Sequence, residues 1–346
     1  MRYFDKIIFG PSLEYAHDIL AELEREPADL VVTSEMLTGV MAACESLGQR
    51  FAVLTANLCW YPLDGMPTFG PGLPPPRTPD EEALHAQIRQ GTIGMFDQSL
   101  SSLNQARAAL GLVPLRSAVD QINAAELILL GTSRAFDFST KQLPSKIRYI
   151  GPQLGELAWA KPWVSPWPAS DSRPLVTVGF STTYQAHEDV LQKVVDATAL
   201  LPVRTLVTLG QIPPAAIRPA ANTALVASAP HDSVMREAAV VITHGGHGTV
   251  MRALKHRCPM LIIPHGRDQD ENAVRVTERG AGLRLPATAT QAEIQNAVCH
   301  LLEDPSFAAA AKKLGAAIAN EPDDVCATDE LAYLAVQSNA CACSAC

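Results

Sequence analysis

The chain has 346 residues, a formal net charge of −9, 47% hydrophobic and 18% charged residues. That length holds two domains of ordinary size, and the composition excludes a disordered chain. The negative charge argues against nucleic acid or an anionic membrane surface as the partner and leaves a small molecule.

The opening Met1-Arg2-Tyr3-Phe4-Asp5-Lys6 contains no apolar stretch of leader length, and no run of about 18 apolar residues follows anywhere. A cytoplasmic protein without an integral membrane segment is therefore expected. The chain then alternates helix and strand. Leu13–Leu23 reads as a helix, Leu30-Val31-Val32 as a buried strand, Met36–Leu47 as a helix closed by Gly48, and Phe51-Ala52-Val53-Leu54 as the next strand. Pro62–Pro79 is too rich in proline and glycine to continue either element and forms a long loop, the kind that borders a pocket. A helical region from Asp80 to Leu110 follows, then strands at Leu127–Leu130 and Ile147–Ile150. Trp159–Pro174, with Trp163, Trp167 and four prolines, reads as a linker.

A second series begins with Leu175–Val178 and the loop Gly179–Thr183. A helix from about His187 to Leu200 comes next, then strands at Arg204–Thr208, Val240–Thr243 and Met260–Ile263. Thr290 and Glu293 have the spacing of a capping box for a helix that buries Ile294, Val298, Leu301 and Leu302. This alternation predicts an α/β protein with two doubly wound, parallel-sheet domains and a ligand crevice at the strand ends. The expected boundaries are 1–158 for the first domain, 159–174 for the linker, 175–325 for the second domain, and 326–346 for a C-terminal helix and Cys-rich tail. Cys44, Cys59, Cys258, Cys299 and Cys326 are scattered as reduced buried thiols usually are. Cys341, Cys343 and Cys346 are crowded like a metal site but lack a fourth partner and follow Gln337-Ser338-Asn339-Ala340, which reads as a loose tail.

The segment Thr243-His244-Gly245-Gly246-His247-Gly248-Thr249 follows an apolar strand and opens a helix expected over Val250–His256. Glycines let backbone N–H groups approach a phosphate, the helix N-terminus adds partial positive charge, and His244 and Thr249 can donate to the same oxygens. The plainer alternative is a tight turn that needs glycine for its geometry alone. Further on, Pro264-His265-Gly266-Arg267-Asp268-Gln269-Asp270-Glu271-Asn272-Ala273 is again a strand end turning into a helix. Asp268 and Gln269 offer a carboxylate and an amide suited to sugar hydroxyls, with helix capping as the alternative for Asp268. Zinc at His244 and His247 is disfavoured by their place in a glycine loop.

These two motifs resemble those of the nucleotide-sugar-dependent glycosyltransferases of the GT-B fold, the UDP-glycosyltransferase-like group acting on natural products, lipids and hormones. In that family T-H-x-G-x-x-S/T grips a diphosphate and P-x-x-x-D-Q-x-x-N-A reaches the sugar. The resemblance implies donor contacts from Ser181, Thr182, His231, His244, Gly245, Gly246, His247, Gly248, Thr249, Asp268, Gln269 and Asn272. It implies a UDP or dTDP sugar as co-substrate, no further cofactor, no metal, and transfer of a hexose with inversion to a small hydrophobic acceptor, by a monomer or homodimer.

The likeness covers nearly the whole chain but departs from the family in the first half. The family's first acceptor-domain strands and its base histidine are expected before Met1, making the N-terminal domain incomplete. Ser34, followed by Glu35, stands where an aspartate often orients that base, and Ser228 stands where an aromatic residue often stacks on the nucleobase. His247 and His265 read as structural or sugar-contacting rather than as a replacement base. The alternative function is a catalytically inactive nucleotide-sugar-binding accessory protein or a truncated remnant, whose Leu30-Val31-Val32 edge would be prone to aggregate.

Overall fold

The structure is a computed structural model that describes residues 5–63, 65–139, 142–155, 163–180, 187–321 and 327–342. It divides into two compact units. One comprises Met1–Gly70, Pro75–Gly151 and Pro322–Cys346, and the other Pro71–Pro74 and Pro152–Glu321.

The first unit is a four-stranded sheet of β1 (Val31–Ser34), β2 (Phe51–Thr55), β3 (Leu127–Leu130) and β4 (Ile147–Tyr149), in that order and parallel throughout. Helices α1 (Ser12–Arg25), α2 (Thr38–Leu47), α3 (Pro79–Asp97) and α4 (Leu100–Ala109) accompany it. The expected helix end at Gly48 is observed: Gly48 has φ 64° and donates its N–H to the carbonyls of the last turn. The helical region after Asp80 is two helices, broken at Gln98 and Ser99. Val31, Phe51, Val53, Ile128 and Leu130 point into one core with Met41 and Cys44 of α2. On the opposite face Ala52, Leu127 and Leu129 are covered by Ala327, Leu331 and Leu334. Those residues belong to a C-terminal helix whose backbone is helical from Ala327 to Ala342, so Gln337–Ala340 continue it rather than forming a loose tail. Among the described residues β1 pairs only with β2, and Val32 remains 45% exposed, as expected of an apolar edge.

The second unit is a six-stranded parallel sheet of β5 (Leu175–Gly179), β6 (Arg204–Thr208), β7 (Thr223–Val226), β8 (Ala238–Thr243), β9 (Met260–Ile262) and β10 (Gly282–Arg284). Its order is β10-β9-β8-β5-β6-β7. Numbered within the unit this is 6-5-4-1-2-3, the doubly wound order, and the direction of winding reverses between β5 and β8. Around the sheet run α5 (Glu188–Thr198), α6 (His231–Met235), α7 (His247–Lys255), α8 (Gln269–Glu278), α9 (Gln291–Glu303) and α10 (Pro305–Ala319). The alternation of α5 buries Val190, Leu191, Val194 and Val195 against Val178, Val207 and Ile242, and α9 adds Ile294, Val298 and Leu301 to the same core. The capping box at Thr290 and Glu293 is present in both directions. Trp163 and Trp167, read as linker, pack on Leu175, Leu206 and Val234 of this unit, with the Arg204 guanidinium over the Trp167 ring.

Candidate functional site

Ligands of doubly wound sheets bind beyond the carboxyl ends of the strands where the winding reverses. Here that place is the edge formed by β5, β8 and β9, which are adjacent and end at Gly179, Thr243 and Ile262. Phe180 follows β5, His244 follows β8, and His265 follows β9 by three residues.

The loop after β8 is the tightest. Gly245 has φ +95°, and a Cβ there would lie 2.7 Å from Ile262 Cγ2; one on Gly246 would lie 2.6 Å from His244 Nε2. Gly245 is thus required by the fold, as the plain turn reading supposed, whereas Gly246 leaves room for the His244 ring. Gly248 differs, since a Cβ there would meet only the end of the Arg252 side chain at 3.3 Å. Helix α7 begins at His247, with Gly246 as its N-cap, three residues before the expected start. His247, Gly248 and Thr249 therefore form its first turn, where the Thr249 N–H donates to the Gly246 carbonyl at 3.0 Å and the helix N-terminus carries partial positive charge. The pattern misled because glycine and histidine are weak helix formers, whereas the closed turn around Gly245 decides where the helix starts.

The His244 imidazole is largely buried, and burial lowers its pKa from 6.5 to about 4, opposed by a hydrogen bond to the Gly179 backbone and assisted by His187, His265 and Arg267 nearby. It is neutral at pH 7 and donates as a neutral group. Its Nδ1 lies 3.3 Å from Thr243 Oγ1, which accepts the N–H of Gly245. His231 opens α6, with its Nε2 3.9 Å from the position a Cβ on Gly179 would take, so it reaches the same strand ends. Burial, then Arg252, lowers its pKa too. Beneath it the buried Asp232 holds His256 at 2.6 Å and Lys255 at 3.0 Å, locking α6 onto α7.

In the loop before α8 the expected sugar ligands divide. Asp268 occupies the N-cap position but makes no capping hydrogen bond; its Oδ2 accepts from Asn272 Nδ2 at 2.8 Å. Capping is therefore not what the carboxylate does. Gln269 is buried, and its Oε1 accepts the backbone N–H of His265 at 2.6 Å. Asn272 is fully buried: its Nδ2 also donates to the Gly245 carbonyl at 2.9 Å, and its Oδ1 lies 3.2 Å from His247 Nδ1. Asn272, bonded to Gly245 and His247, thus ties the two loops together and holds Asp268, while Gln269 braces its own loop at His265. Behind them Glu271 and Arg275 form a buried ion pair at 2.8 Å, and Glu271 Oε1 accepts the N–H of Gly72 at 2.9 Å. Ser181 and Thr182 lie outside the described residues. His187, which the motifs do not include, is buried with its ring stacked on Phe180.

In the first unit Ser34 Oγ donates to Glu35 Oε2 at 3.2 Å, and Trp60 Nε1 donates to Glu35 Oε1 at 3.2 Å. Glu35 is buried at the carboxyl end of β1, and burial raises its pKa against these hydrogen bonds. Among the described residues no group of three or more His, Cys, Asp or Glu side chains is placed to hold a metal ion. Burial pushes the Cys44 thiol up to about 11 and those of Cys59 and Cys258 to about 12, in keeping with inert buried thiols.

A doubly wound sheet with a glycine-opened helix at its switch point defines a Rossmann-like class of domain. Residues 192–333 match the family described as Erythromycin biosynthesis protein CIII-like, C-terminal domain. The chain is 28% identical over 320 residues to 4'-demethylrebeccamycin synthase of Lentzea aerocolonigenes, covering 90% of this chain and 75% of that protein. Further relatives at 24–26% identity are spanned over only 58–59% of their length. Among solved structures, the calicheamicin glycosyltransferase CalG4 superposes with a TM-score of 0.71 at 20% identity, covering 92% of this chain and 76% of that one. The glycosyltransferase VinC, solved in complex with DTDP, gives 0.65 at 18% identity, covering 97% and 81%. The chain has the GT-B fold, and residues 192–333 match the EryCIII-like C-terminal domain model.

Proposed function

We propose that the chain transfers a hexose from a UDP or dTDP sugar to a hydroxyl of a small hydrophobic acceptor, with inversion and without a bound metal. One observation carries this reading: three adjacent strand ends at the switch point bring together a helix N-terminus, a buried neutral His244 and the carboxylate of Asp268. Breaking the bond between the anomeric carbon and the diphosphate oxygen leaves negative charge on that oxygen. Oriented N–H donors of the first turn of α7, joined by the single His244 N–H once it turns from the Gly179 backbone to the diphosphate, lower that charge's energy and take the place of a cation. Asp268, held by Asn272, is suited to accept from sugar hydroxyls and fix the ring. The acceptor oxygen attacks from the opposite face, and its proton passes to a base that we assign to no residue of this chain. The likeness to natural-product glycosyltransferases supports the acceptor class.

The test is to incubate the purified chain with UDP-glucose or dTDP-glucose and a panel of hydrophobic alcohols and phenols, following free nucleoside diphosphate and glycoside. Acceptor-dependent release with an inverted anomeric centre is expected, unchanged by a chelator. Saturable donor binding with no release from any acceptor would instead identify a donor-binding protein without transfer activity.

A further inference from the structure

Three imidazoles surround the Phe180 ring at the edge where β5, β8 and β9 end. The His187 ring centroid lies 5.5 Å from that of Phe180, His265 lies 5.6 Å from it edge-on, and His244 lies 6.4 Å away. His187 and His265 are 6.0 Å apart, ring to ring. Of the three, His244 is accounted for by its contacts. The other two are not: His187 is only 2% exposed, and among the described residues neither its Nε2 nor the buried Nε2 of His265 has a hydrogen-bond partner. In His265 the Nδ1 lies 2.9 Å from the Ile263 carbonyl, to which it must donate. Neutral His265 therefore leaves a bare lone pair on Nε2, buried and unmatched. Two such nitrogens in one place are costly unless something that arrives later uses them.

We infer that His187 and His265 form an inducible cation beside the donor site: both are neutral while it is empty, and one takes a proton from solvent when a diphosphate enters. This rests on the reading of that edge as a diphosphate site. Burial lowers the pKa of both imidazoles, and His265 lowers that of His187 further, so the empty pair favours the neutral form and a second proton is disfavoured by the first. Glu188, on the same helix as His187, favours the proton there. Of the other charged or titratable groups facing the cluster, His244 stays neutral, and Arg267 acts against a positive charge at His244. An anion about 6 to 8 Å away shifts the balance toward protonation by about one and a half to two pKa units in a medium of effective dielectric near 20. His187 and His265 are in this account positioning residues: they supply charge to the leaving diphosphate through space without touching the reacting atoms. The arrangement gives positive charge only when an anion is present, so an empty site carries no buried unpaired cation.

The experiment is calorimetric titration of the intact chain with UDP-glucose and dTDP-glucose, whose diphosphates are diesters and do not titrate near neutrality. Each titration is run at about pH 7.5 in two buffers of different ionisation enthalpy, for the native chain, His187→Gln and His265→Gln. The native chain is expected to take up between about half a proton and one proton per ligand bound. Each variant should still bind, with uptake at least halved. Native binding without uptake, or unchanged uptake in both variants, overturns the inference and leaves the donor site standing. No saturable heat with either sugar nucleotide overturns the donor reading and this inference together. Should His187→Gln fail to give a cooperative melt, the histidine Cε1–H resonances of the native chain, assigned with His265→Gln, decide the matter. Donor must raise the pKa of one of the two by about one unit or more, and an unmoved pair refutes it.

Discussion

His244 shows how burial and function pull on one side chain. The unfolded chain binds a proton at this imidazole as pH falls through about 6.5, whereas the folded chain does so only near pH 4. Between those values the unfolded state holds more protons, so stability is complete above about pH 6.5 and is lost as pH falls toward 4, by on the order of 3 kcal/mol. His187, His231 and His265 are shifted in the same direction. The urea midpoint is therefore expected to fall between pH 7.5 and pH 5, and to fall less in His244→Gln; an equal fall in both would contradict the burial argument. The residues themselves made His244, Asp268 and Gln269 legible as a group, because a strand end that turns into a helix places neighbouring residues at one edge, and the family resemblance added Asn272. It did not show which way each side chain turns. Asn272 and Gln269 face inward because the loop backbones at Gly245 and His265 need hydrogen-bond partners there, and such needs appear only when the two loops are placed side by side. His187 carried no signal at all, lying seven residues beyond its ring partner Phe180 at the start of an ordinary amphipathic helix.

At the scale of elements, the first turn of α7 separates two reasons for glycine. Gly245→Ala puts a Cβ against Ile262 at a backbone angle that L-residues avoid, and should destabilise the fold by about 1–3 kcal/mol. Gly248→Ala meets only a flexible arginine end, and in a helix alanine is favoured by up to about 1 kcal/mol. Its melting temperature should equal or exceed that of the native chain while its affinity for UDP-glucose falls several-fold. Native affinity in Gly248→Ala would mean that this glycine serves no phosphate. Elements with strong periodicity or caps were readable, α2 ending at Gly48 and α9 starting at Thr290 among them. β7 and β10 were not, since these flank strands are four and three residues long and only partly buried, so neither shows a run of core residues. Helix α10 also escaped notice, because its alanines blur the apolar stripe that marks a packed face.

On the scale of the whole molecule, the alternation of strand and helix foretold two parallel sheets, and the winding of the second follows from right-handed crossovers between them. What alternation could not give was the destination of the C-terminal helix, which returns to the first sheet. There Arg50 donates to the Leu334 carbonyl at 2.6 Å while pairing with Glu126. That return depends on pairing between residues nearly three hundred positions apart, and no local pattern encodes it. The central claim concerns the second unit: a nucleotide diphosphate binds at the ends of β5, β8 and β9 and is held by His244. The most direct test compares the dissociation constants of the native chain and of His244→Ala for UDP-glucose and dTDP-glucose. Saturable binding is predicted, weakened in the variant by about 1–3 kcal/mol, roughly 5- to 150-fold. Equal affinity in the two proteins, or no binding to either, would contradict it.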